Sequence, residues 1–70
     1  MNANTQFKPL LKLKGLRAQH MMTQADIADK LGISKATYNR KENGIGQFDA
    51  NEITCILKMF NVNYEQIFIS

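Results

Sequence analysis

The sequence predicts an all-α fold of five short helices, and three observations predict it. Apolar residues recur at helical spacing through most of the 70-residue chain. A helix-opening Thr, Ser, Asp or Asn stands ahead of four of the five patterned stretches, and glycine or asparagine stands behind three of them. No strand, internal repeat or linker interrupts the series.

Met1 to Gln6 is polar and unpatterned, so residues 1–8 are expected to form a flexible N-terminus ahead of a single domain at 9–70. Pro9 suits a first helical turn, and Leu10, Leu13, Leu16 and Arg17 follow at helical spacing to an end near Gln19 or His20. Gly15 weakens that helix by roughly 1 kcal/mol relative to alanine, so tertiary packing must hold it. Thr23 caps a second helix, Gln24 to Leu31, with Ile27, Ala28 and Leu31 on one face. Asp26 stands in its first turn, where the helix dipole favours an acid. Gly32 stops it, and Ser34 opens a third helix from Lys35 to about Glu42 that Asn43-Gly44 closes. Ile45 to Phe48 reads as a loop. Asp49 caps a fourth helix with Ile53, Ile56, Leu57 and Phe60 on one face and Glu52 completing a capping box. Asn61 suits a left-handed end, and Asn63 can cap a last helix, Tyr64 to about Phe68.

Composition limits what such a chain can do. A domain of this size buries only about 60% of its unfolded surface, which leaves little room for an enclosed active site. With Cys55 as the one cysteine, no internal disulfide and no thiol metal cluster can form, and a reducing cytoplasm is the expected compartment. No apolar run is long enough to span a bilayer, and lysines interrupt the stretch where a signal peptide would place its apolar segment. His20 is alone and reads as a helix-end residue, so neither metal nor cofactor is expected. Cys55 reads as a packing residue, and Met21, Met22 and Met59 read as core filler. No acid–base pair or nucleophile system appears, which argues against an enzyme.

Charge is unevenly placed. Residues 1–45 carry eight Lys and Arg against Asp26, Asp29 and Glu42, hence +5; the remainder carries Lys58 against Asp49, Glu52 and Glu65, hence −2. That asymmetry suits a polyanion partner, though charge alone fits a solvated basic face equally well.

The second and third helices, joined by a tight glycine turn, have the form of a helix-turn-helix unit, whose second helix enters the DNA major groove. Ala28 is small where the two helices cross, Gly32 suits the positive φ of the turn, and Ile27, Leu31 and Ile33 supply apolar contacts beneath it. The stretch "LKGLR", then "TQADIADKLGIS", "ENG", "FDANEI" and "NVNYEQIF" resemble the phage repressor and Cro (XRE-like) family over about Leu10 to Phe68. The resemblance implies a compact five-helix bundle of the lambda-repressor type, sequence-specific binding of double-stranded operator DNA, and a homodimer on that DNA. It also implies a structural ion pair between Arg17 and Glu42.

On a helical wheel Lys35, Ala36, Asn39 and Arg40 share an arc of about 140°, while Tyr38 and Lys41 point the other way. By resemblance those four reach base edges. Their chemistry fits, since Arg and Lys can bind guanine, Asn can pair with adenine, and the Ala methyl can touch thymine's. Gln24 at a helix N-terminus, with Thr37 and Asn43 beside the recognition helix, match family phosphate contacts. Each also has an ordinary structural reading, as a helix-start residue, a helical threonine and a C-cap. Tyr38 and Lys41 depart from the family's aliphatic residues, and Phe48 in "IGQFDA" is expected to plug the core beside them.

The expected function is therefore a repressor- or Cro-like transcriptional regulator, of phage or prophage type. The alternative is an antitoxin or other interaction module with the same fold, which would need a further segment to cover its partner. Three apolar residues in a row, Ile67, Phe68 and Ile69, cannot all turn inward from so short a helix, which predicts a dimer built through the C-terminal end.

Overall fold

The computed structural model describes residues 8–69, in which the helices are α1 (Leu11–Gln19), α2 (Gln24–Leu31), α3 (Lys35–Glu42), α4 (Ala50–Phe60) and α5 (Glu65–Phe68). There is no strand among the described residues. The flexible N-terminus expected at 1–8 lies outside them except for Lys8, as does Ser70.

Helix boundaries follow local chemistry closely where side chains can cap. Thr23 Oγ1 accepts from the Asp26 amide (3.0 Å) while the Thr23 amide donates to Asp26 Oδ2 (2.8 Å), closing a capping box on α2. Those bonds to Thr23 hold the Asp26 carboxyl below its ordinary range. Asp49 and Glu52 repeat the box on α4, at 2.7 and 2.9 Å. Ser34 Oγ accepts from the Thr37 amide (3.0 Å) to open α3. Gly32, at φ +72°, and Asn61, at φ +54°, take the left-handed positions that end α2 and α4.

Three details differ from the sequence reading. Pro9 precedes the first turn of α1, because the N-cap is Leu10. Leucine has no capping oxygen, and the start of α1 is fixed instead from outside, where the Leu10 amide donates to the Glu42 carbonyl at the end of α3 (2.8 Å). Met21 is not core filler: it takes φ +56°, and its side chain is 92% exposed. The α1–α2 turn needs that left-handed residue so that the Met21 and Met22 amides can reach the Ala18 and Arg17 carbonyls (3.0 and 2.9 Å). Met22 and Met59 do pack against the core. Asn63 does not cap α5 with its side chain: the helix starts at Glu65 with Tyr64 as N-cap, and Asn63 contributes only its amide, which donates to Gln66 Oε1 (2.8 Å).

The core is built on Leu13 of α1, Ile27 of α2, Tyr38 of α3 and Ile56 of α4, all wholly buried, with Ala28, Phe48, Phe60 and Ile67 around them. Burying a side chain of this kind contributes about 1.5–3 kcal/mol. Ala28 is buried on α2 beside Ile27. The loop after α3 turns at Gly44, where φ is +86° and the Lys8 main chain passes 2.6 Å from the place a Cβ would occupy. Phe48 plugs the core below that loop, its ring 5.8 Å from Tyr38 and 6.3 Å from Phe68.

Candidate nucleic-acid interface

The α3 helix has two unlike sides. Tyr38 and Glu42, one turn apart, are completely buried, whereas Lys35, Ala36 and Arg40 are exposed. Neither Lys35 nor Arg40 makes a side-chain hydrogen bond or ion pair with another described residue. Asn39 lies on the same arc but is half-buried.

The buried side is organised by one carboxylate. Arg17 donates from Nε to Glu42 Oε2 (2.9 Å) and from Nη2 to Oε1 (3.2 Å), a fork on a fork. The Tyr38 hydroxyl donates to Oε2 (2.5 Å), and Gln24 Nε2 donates to Oε1 (3.0 Å). Burial alone would push the Glu42 carboxyl up, but the bonds from Arg17, Tyr38 and Gln24 outweigh it and hold it below the ordinary carboxylate range. The hydrogen bond to Glu42 raises Arg17 in turn. Tyr38 is pushed well above its usual value, first by burial and then by donating to a carboxylate. A charge taken wholly out of water is tolerated here because all its partners are present. α1, α2 and α3 are thereby held at one point.

Lys41, next to Glu42, is committed elsewhere: its Nζ lies 2.7 Å from Glu52 Oε1 and 5.8 Å from the centre of the Phe48 ring. Its ammonium is thereby tied to α4.

Two of the three residues expected at phosphates, Gln24 and Asn43, are also joined to the buried carboxylate, Asn43 through Asn39. Gln24 uses Nε2 on Glu42 and accepts at Oε1 from Asn39 Nδ2 (3.0 Å); Asn39 Oδ1 accepts from Asn43 Nδ2 (3.3 Å). This chain of amides joins the start of α2 to both ends of the last turn of α3. Sequence reasoning did not find it, since its members are 15 and 18 residues apart between helices. Tyr38 to Glu42 and Asn39 to Asn43, both at i,i+4 spacing, were the links the sequence could have signalled. Thr37 Oγ1 accepts from Ser34 Oγ (2.9 Å).

His20 closes α1, its ring nitrogen Nδ1 donating to the Leu16 carbonyl (2.9 Å) and its ring edge-on to Phe60 at 5.0 Å. Cys55 is half-buried, 3.9 Å from the Lys30 carbonyl. No helix among the described residues is long and apolar enough to cross a membrane.

A helix-turn-helix family profile matches residues 13–67, spanning all five helices but the first two residues of α1 and the last of α5. The chain belongs to the XRE-type helix-turn-helix family. That family consists of DNA-binding proteins without enzymatic activity, and its helix-turn-helix unit is α2 and α3 here. Among similar proteins, the uncharacterized HTH-type transcriptional regulator MJ0272 of Methanocaldococcus jannaschii is 43% identical over 58 residues, covering 83% of this chain and 88% of that protein. The antitoxin PezA of Streptococcus pneumoniae is 38% identical over 55 residues, which is 79% of this chain. The match spans only 35% of PezA. The Glu42 cluster joins α3 to α1 and α2, and the exposed side of α3 lies away from it.

Proposed function

We propose that this protein is a sequence-specific transcriptional regulator that inserts α3 into the major groove of operator DNA. The observation that carries the reading is the contrast on α3. Lys35, Ala36 and Arg40 are exposed and unengaged, with Asn39 between them, while the opposite side is bonded to α1 and α2 through Glu42. A positioned helix with free donors suits direct base readout. Gln24, Thr37 and Asn43 border that face and hold the phosphates beside it.

Use as a repressor, of phage or prophage type and in the cytoplasm, rests on the family likeness. A two-fold dimer is part of the reading because one recognition helix covers too few base pairs to find a site among roughly 10⁶ or more competitors. At the C-terminal end Ile67 is buried, Phe68 half-buried and Ile69 53% exposed, so Ile69 is the residue available to a second copy.

Selection of bound duplexes from a random pool tests the proposal. A defined site with inverted half-sites about 34–36 Å apart, and affinity that falls with salt, is the expected result. The likeness to PezA favours a second reading, an antitoxin-like module that masks a protein partner. Recovery of no preferred site, with binding to random duplex that is insensitive to salt, would support that reading instead.

A further inference from the structure

A cleft of about 330 Å³ opens between the loop that follows α3 and the last helix. Its apolar wall holds three aromatic rings: Phe48 meets Phe68 edge-on at 6.3 Å, and Phe68 stacks on Tyr64 at 4.9 Å. Lys8 and Lys41 also line it, and no acid among the described residues does. The two lysines are not equivalent. Lys41 is held by Glu52 at 2.7 Å, whereas Lys8 is exposed and makes no side-chain hydrogen bond or ion pair with another described residue. The cleft therefore joins apolar surface to one unmatched positive charge.

α5 carries the complement of both features. Tyr64 and Phe68, one turn apart, face the cleft, and Ile67 between them turns into the core. At 100° per residue, Glu65 falls about 60° beyond Phe68 on the side away from Ile67. It is exposed, and no hydrogen bond or ion pair engages its carboxylate among the described residues. Ile69 follows in an extended conformation with its side chain exposed. One short segment thus builds part of the cleft and also presents the apolar side chain and the carboxylate that the cleft would accept. A surface carrying both halves of a complementary pair suits a second copy of itself about a two-fold axis, where every contact occurs twice. An unrelated acidic peptide could use Lys8 and the rings, but it would leave Glu65 facing nothing.

We infer that this cleft is where the protein associates with itself: α5 of a second copy lies across it, with that copy's Ile69 against the aromatic rings and its Glu65 beside Lys8. The inference rests on the proposed dimer and names the surface and the charge pair that form it.

Sedimentation equilibrium at graded concentrations tests it, on the protein alone and on the duplex that the wild type selects. The variants are Lys8→Glu, Glu65→Lys, the two combined, and Ile69→Ser, with a melting curve for each. All three side chains are exposed, so the variants should melt as the wild type does. Each single reversal sets like charges against each other at both symmetry-related contacts and should weaken association by about tenfold. The combined variant restores opposite charges and should recover the wild-type constant. Net charge cannot produce that pattern, because Lys8→Glu lowers it from +3 to +1 while Glu65→Lys raises it to +5. Ile69→Ser should weaken association without recovery by either reversal. The inference is overturned, with the proposed dimer left standing, if the wild type dimerises but the single reversals or Ile69→Ser leave association unchanged, or if the combined variant fails to recover it. A wild type that is monomeric alone at about 1 mM, the weak end of measurable affinity, and sits as one protomer on its selected duplex overturns both.

Discussion

Glu42 and Glu52 are both buried glutamates, each faces a cation, and each sits in the sequence as an ordinary helical acid. Their surroundings differ. Glu42 is 0% exposed and accepts from Arg17 of α1, Gln24 of α2 and Tyr38 of its own helix. Glu52 is 8% exposed and serves its own helix first, closing the Asp49 capping box, with Lys41 as its one partner from another helix. Adjacent residues of α3 thus make opposite connections: Lys41 reaches out to a carboxylate on α4, and Glu42 receives donors from α1 and α2. The Glu52 arrangement trims a helix end; the Glu42 arrangement sets where α3 lies. Burial fraction alone would not separate them, whereas the number of helices represented among the donors does.

The sharpest way to break the comparison is to remove each carboxylate. Glu42→Ala strands Arg17 beside a cavity, and loss of one partner of a buried pair costs roughly 3–5 kcal/mol, a large part of the stability of a domain this size. A thermal melt should show Glu42→Ala unfolded or barely folded at 25 °C; a melting point near the wild type's would overturn the account of Glu42 as the joint of three helices. Glu52→Ala loses a capping-box arm and a partly solvated ion pair, together about 1–2 kcal/mol, and should remain folded. Equal losses for the two variants would erase the distinction.

Arg40 sharpens the contrast from the other side of α3. Its truncation should leave the melt unchanged while lowering operator affinity by about 1–3 kcal/mol, the loss expected for one bidentate base contact. Equal weakening on operator and random duplex would assign Arg40 to phosphates. Its neighbours at 41 and 42 should show the converse pattern, in which stability falls with affinity.

Acidity gives a gentler probe. The folded-state pKa of Glu42 is depressed, so its contribution is complete above the unfolded carboxyl's ordinary value and is lost as pH falls through the lower folded value. Urea midpoints measured downward from pH 6 should therefore fall, and Glu42→Gln, where it folds, should flatten that limb. Tyr38 has the opposite sense: its pKa is raised, so stability is complete below the ordinary tyrosine value and declines as pH rises beyond it. Tyr38→Phe should remove the alkaline decline, and an unaltered decline would place its origin elsewhere.

The fold was legible because its signals are local. Thr23, Ser34 and Asp49 cap within three residues, and Gly32 and Asn61 end helices by their own backbone preference. The start of α1 was not legible, because a bond from Leu10 to the far end of α3 decides it rather than Pro9. Met21 was misread since its hydrophobicity suggested the core, whereas the turn demands a left-handed backbone that points it outward. The Arg17–Glu42 pair came from family likeness, and its geometry is present at 2.9 Å. The Gln24–Asn39 link of the amide chain had no sequence signature, because only the close crossing of α2 and α3 brings the two within bonding distance, whereas Asn39 and Asn43 stand one turn apart on α3.

The absence of intramolecular duties at Lys35, Ala36 and Arg40 bears on retargeting. A combinatorial library at those three positions should stay almost uniformly folded, because no described partner is lost with any of them, and so can be sorted on binding alone. Randomising position 39 changes two hydrogen bonds of the scaffold together with the chemistry offered to DNA. Under the proposed base readout by α3, new specificities are easiest to acquire at three sites, while the fourth has to be redesigned together with Gln24 and Asn43.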